Sequence, residues 1–78
     1  MKPNNLIARI ELVNKVGKRI QELRLGKGMS QEDLALKSDI NKNYLSDLER
    51  GTRNPTIFIL KKIADGLEIS LEELFKKI

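Results

Sequence analysis

SQEDLALKSDINKNYLSDLERG, residues 30–51, is the stretch on which the fold turns. Ser30 can accept a hydrogen bond from a backbone N–H two or three residues on, and Asp33 holds the reciprocal position, so a helix starts at Gln31. That helix is short and runs to about Lys37. Leu34 faces inward and Ala35 is the small residue at its middle. Ser38, Asp39 and Ile40 form a three-residue turn, Asn41 caps a second short helix from Lys42 to about Arg50, and Gly51 ends it. At about 100° per residue, Leu45 and Leu48 point to one side of this second helix, with Asn41 and Glu49 beside them. Asn43, Ser46, Asp47 and Arg50 point to the other side, and Lys42 and Tyr44 lie on the flanks.

Working outward, the whole chain reads as helices, because apolar positions recur every three or four residues and no strand-like alternation occurs. Upstream, Leu6, Ile10, Val13, Val16, Ile20 and Leu23 form one stripe of a helix from about Asn5 to Leu25. Gly17 interrupts the stripe. It marks either close packing or a break between a leading helix, residues 1–15, and the main domain, residues 16–78. The glycines of Gly26-Lys27-Gly28 end that helix with a left-handed residue. Downstream, Thr56 caps a fourth helix from Ile57 to about Asp65, which Gly66 terminates. Ser70 with Glu73 forms a capping box that opens a fifth helix to the C-terminus.

Composition narrows the function. The 78 residues make one domain, near the size where a single core barely suffices. Cysteine, histidine and tryptophan are absent, which removes disulfides, thiolate zinc sites and the usual general base. No nucleophile–base pair or phosphate-cradling glycine loop is present, and no cofactor, metal or small-molecule ligand is implied. The net charge of +4 leans toward a polyanionic partner, though modestly. No apolar run approaches the roughly 20 residues that span a bilayer, and no secretory signal opens the chain, so the expected compartment is the cytoplasm.

Two short helices joined by a tight turn within an all-α, five-helix domain make the helix-turn-helix pattern, here residues 31–50. The chain resembles the lambda-repressor-like, Cro-type helix-turn-helix proteins, also called the xenobiotic response element family. Carrying the resemblance are Ser30 to Ala35, Tyr44 to Gly51, Arg53-Asn54-Pro55-Thr56, and Leu67 to Phe75. Within the family, the small size and the stretch from Asn43 to Gly51 most resemble stand-alone controller proteins of restriction–modification systems. Asp39 departs from the family, which usually carries glycine there; aspartate tolerates the left-handed conformation better than most residues.

The resemblance implies a transcriptional regulator that sets the helix 42–50 into the major groove of double-stranded DNA. Lys42 and Asn43 are then the leading base readers, since lysine donates to guanine and asparagine pairs with adenine N6 and N7. Ser46 and Asp47 come next. Asp47 has two readings: it accepts from cytosine N4, or it orients Arg50 or Lys42. Tyr44 either packs at the core edge or meets a thymine methyl and a phosphate. Gln31, at a helix N-terminus, is a phosphate candidate, joined by Arg53 and Asn54 and more weakly by Lys27 and Arg50. The plain alternative is that the outward face of this helix is simply solvated.

The resemblance further implies that Arg24 pairs with Glu49 as a structural bridge. Ile57, Phe58, Ile59 and Leu60 are consecutive and exceed one helix face. With Ile69, Leu71, Phe75 and Ile78, residues Ile57 and Phe58 are expected to build a homodimer interface, Leu6, Ile7 and Ile10 assisting; the alternative is that they fill the domain's own core. Such a dimer reads a pseudo-palindromic operator. A rival function is a protein-interaction module, such as an antitoxin, with DNA binding secondary.

Overall fold

The computed structural model describes residues 5–78 and contains five helices and no strand among them. They are α1 (Asn5–Gly26), α2 (Gln31–Ser38), α3 (Lys42–Arg50), α4 (Ile57–Leu67) and α5 (Leu71–Leu74).

Each short helix starts where a side chain satisfies free backbone N–H groups. Ser30 Oγ accepts from Asp33 N at 2.9 Å, and the Asp33 carboxylate accepts from Ser30 N at 3.0 Å, closing a full capping box. The Ser30 backbone N–H, followed by its hydroxyl, holds the Asp33 carboxyl below its ordinary 3.8. Asn41 Oδ1 accepts from Asn43 N at 2.7 Å, and Thr56 Oγ1 from Ile59 N at 3.1 Å.

The core is one cluster in which Ile20, Leu34, Leu45, Ile63, Leu67 and Leu74 are fully enclosed. Its most extensive packing sets α2 on α4 and α1 on α3. Gly17 marks close packing and not a break. α1 is continuous through it, and a Cβ there would overlap the Leu48 carbonyl oxygen of α3.

Three details differ from the sequence-based expectations. First, α4 runs two residues past Asp65, and Gly66 lies inside it; its missing Cβ makes room for Ser38 Oγ and Leu34. The left-handed residue that ends α4 is Glu68, at φ 61°. Second, α5 is a single turn and does not reach the C-terminus. Ser70 Oγ accepts from Glu73 N, but the Glu73 carboxylate turns to Arg19 at 3.2 Å, so the box is left half-made. Third, Ser38 is the last residue of α2 and is buried; the turn begins at Asp39, which is left-handed at φ 55°. The N-terminal stripe of α1 is largely uncovered. Leu6, Ile7 and Ile10 are exposed, and burial begins at Val16.

The last point follows from length. A 22-residue helix spans about 33 Å, whereas the molecule measures 24 and 20 Å across its shorter axes. The other four helices cover only the C-terminal half of α1.

Candidate nucleic-acid interface

α3 is held by its inner side. Leu45 and Leu48 are 0% and 2% exposed. Glu49, next on the helix, is also buried and meets Arg24 of α1 in a forked pair: Arg24 Nε to Glu49 Oε2 at 2.7 Å and Nη2 to Oε1 at 3.0 Å. Arg24 Nη1 donates to the Met29 carbonyl at 2.7 Å, and Gln31 Nε2 donates to Glu49 Oε1 at 3.0 Å. One buried network thus ties α1, the turn after it, α2 and α3. Met29 and Gln31 were not legible as members, because their roles depend on where Arg24 and Glu49 meet.

With that side fixed, the opposite side of α3 faces out. Lys42 and Asn43 are exposed at its N-terminal turn, and Ser46, Asp47 and Tyr44 are half-buried further along. Arg50 is exposed, donates to Ser46 Oγ at 3.0 Å and pairs with the Asp47 carboxylate. Arg53, from the loop after α3, reaches the same carboxylate at 3.4 Å and lies 5.1 Å from the Tyr44 ring centroid. The structure therefore brings five of the site residues, Tyr44, Ser46, Asp47, Arg50 and Arg53, into one contact cluster.

The remaining phosphate candidates are dispersed. Asn54 is exposed in the loop beside Arg53, and Lys27 is exposed in the turn between α1 and α2. Gln31 is half-buried, with its amide engaged by Glu49. Arg9 was not singled out from the sequence. It lines a shallow cleft with Arg53 and Asn54, floored by Leu6 and Ile10. A basic residue on the inward stripe of α1 was the available signal.

The expected dimer residues divide into two groups. Ile57 and Phe58 are each 69% exposed on the first turn of α4, and Phe75 and Ile78 are partly exposed near the C-terminus. Ile69 and Leu71 are half-buried, packed against the domain's own core. Arg19 closes this end of the molecule: its guanidinium donates to the Leu74 and Glu73 carbonyls at 3.2 and 2.7 Å. Among the described residues, no helix is long and apolar enough to cross a membrane, and no acidic cluster could hold a metal ion.

Comparison with known proteins agrees with this geometry. A helix-turn-helix family model matches residues 20–74. The control protein C.BamHI of Bacillus amyloliquefaciens is 41% identical over 59 residues, covering 74% of this chain and 73% of its own. Among solved structures, the restriction–modification controller protein C.AhdI from Aeromonas hydrophila superposes with a TM-score of 0.79 at 43% identity, over 81% of this chain and 96% of its own. The controller protein C.Esp1396I, solved as a tetramer with its natural 35 base-pair operator, gives 0.80 at 48% identity over 83% and 86%. The chain belongs to the Cro-type, xenobiotic response element family of helix-turn-helix transcriptional regulators.

Proposed function

We propose that the chain is a controller-type regulator that reads a pseudo-palindromic operator as a two-fold dimer, with the N-terminal turn of α3 in the major groove. The observation that carries this reading is the orientation of α3. Leu45 and Leu48 are enclosed while Lys42 and Asn43 stand free, so the residues best suited to base edges sit where such a helix enters DNA first. Lys42 and Asn43 read bases, with Ser46, Asp47 and Tyr44 behind them. Gln31, Arg53, Asn54, Arg50 and Lys27 take phosphates. Ile57 and Phe58, with Phe75 and Ile78, pair two copies so that their reading helices lie about 34 Å apart. C.Esp1396I on its operator supports the multimeric form. Such a protein works in the cytoplasm, beside the DNA it reads.

The exposed Leu6, Ile7 and Ile10 favour one rival reading, a protein-interaction module. Titration of the protein onto DNA fragments flanking its own gene, at several salt concentrations, separates the two. A specific regulator prefers one fragment by ~10³ or more over random duplex, and its binding weakens with salt as phosphate contacts are lost. A flat, weak response to every fragment refutes operator reading.

A further inference from the structure

Asp47 is an acidic residue placed in the middle of a surface otherwise suited to a polyanion. Its position is fixed: its backbone carbonyl accepts from Thr52 N at 3.0 Å and from Thr52 Oγ1 at 3.1 Å. Its two carboxylate oxygens are each taken by a different arginine, Oδ1 by Arg50 and Oδ2 by Arg53. The Arg50 fork is further committed to Ser46 Oγ, and the Arg53 guanidinium to the Tyr44 ring. Asp47 therefore holds both arginines that flank the C-terminal end of the reading helix.

We infer that Asp47 is a specificity-determining residue that works by restraint: its carboxylate keeps Arg50 and Arg53 from gripping phosphate on any duplex, and is compensated only where the sequence offers it a donor. The inference rests on the operator-reading function proposed above. An arginine that turns to a phosphate must leave Asp47, or bring the carboxylate's negative charge toward the backbone. Either course weakens binding that depends on phosphates alone. Of the two amino donors in the major groove, adenine N6 and cytosine N4, the cytosine N4 group is the customary partner of a carboxylate. At a site with cytosine in reach, Asp47 exchanges one charge-assisted partner for another, and the released arginine takes a phosphate.

The test compares wild type, Asp47→Ala and Asp47→Asn on two probes: a random-sequence duplex, and a duplex selected by the wild-type protein from a random pool. Both variants are expected to bind the random duplex about three- to tenfold tighter, the value of one or two exposed ion pairs. The slope of log affinity against log salt steepens by about 0.9 for each arginine freed onto a phosphate. The ratio of selected to random affinity falls in Asp47→Ala. Unchanged or weaker binding of random duplex by both variants overturns the inference, because Asp47 would then merely position the arginines. An equal gain on both probes overturns it too, since removal of charge alone would explain it. A wild-type protein that selects no sequence defeats the operator-reading function, and the inference falls with it; a selective wild type with insensitive variants defeats the inference alone.

Discussion

Replacing Glu49 with alanine should remove a large share of the stability of this domain. The Glu49 and Arg24 side chains are 2% and 8% exposed, so neither charge can be rehydrated in place once its partner is gone. Glu49→Ala leaves the Arg24 guanidinium with the Met29 carbonyl as its remaining contact, and leaves the Gln31 amide without its acceptor. Breaking one side of a buried, hydrogen-bonded pair costs about 3–5 kcal/mol. A 78-residue domain has roughly 4–12 kcal/mol in total. At about 4–8 °C per kcal/mol for a domain this small, the melting temperature falls by at least about 12 °C. Thermal and urea unfolding followed by far-ultraviolet circular dichroism measure it. Two controls show the cause. Arg24→Met with Glu49→Met removes both charges together and should recover much of the loss, since a buried pair is replaceable by apolar groups of similar volume. Added salt should change the deficit little, because a buried pair is poorly screened. A Glu49→Ala midpoint within about 2 °C of wild type would refute the reasoning, since that is how an exposed surface position behaves.

Gly17→Ala should lose stability although alanine favours helices by about 1 kcal/mol, because its Cβ would overlap the Leu48 backbone carbonyl and overpacking costs about 1–3 kcal/mol with backbone displacement; a raised melting temperature would show that α1 and α3 do not meet there. Ser38 Oγ is buried with no hydrogen-bond partner, so Ser38→Ala should stabilise by about 1 kcal/mol. The same oxygen is what a Cβ on Gly66 would strike first, so Gly66→Ala should cost less in the Ser38→Ala background, and strictly additive effects in a double-mutant cycle would count against the contact. Asp33 has a folded-state pKa below its ordinary 3.8, so its cap contribution is full above that value and disappears as pH falls through the folded pKa. The gap in melting temperature between wild type and Asp33→Ala should therefore close below about pH 4, and a gap constant from neutral pH downward would contradict the carboxylate's role. Ile57→Lys together with Phe58→Lys should yield monomers in sedimentation velocity where wild type sediments as a dimer, and a wild type that is monomeric at high micromolar concentration would remove the proposed interface.

What the sequence disclosed and what it withheld divide by the range of the interaction. Ser30, Asn41 and Thr56 cap their helices through bonds to N–H groups two or three residues away, so each start was readable from its neighbours. The inner face of α3 followed from the spacing of Leu45 and Leu48 alone. Gly66 misled because glycine near a helix end ordinarily signals a stop. Its absent side chain serves Ser38, 28 positions earlier, and Glu68 takes the left-handed position instead. The opening of α5 fails in the same way: Ser70 and Glu73 have the spacing of a capping box, but the Glu73 carboxylate is claimed by Arg19, 54 residues away. Asp47 lies between these cases. Its pairing with Arg50 is one helical turn long and was foreseeable, whereas the approach of Arg53 depends on how the loop leaves α3. That loop is held by Gly51 at φ 79°, where a Cβ would strike Asn14 of α1. The restraint proposed for Asp47 therefore depends on α1 as much as on α3. The Gly17 contact and the Arg24–Glu49 pair set the distance between those helices, and with it the direction in which Arg53 returns across the reading surface.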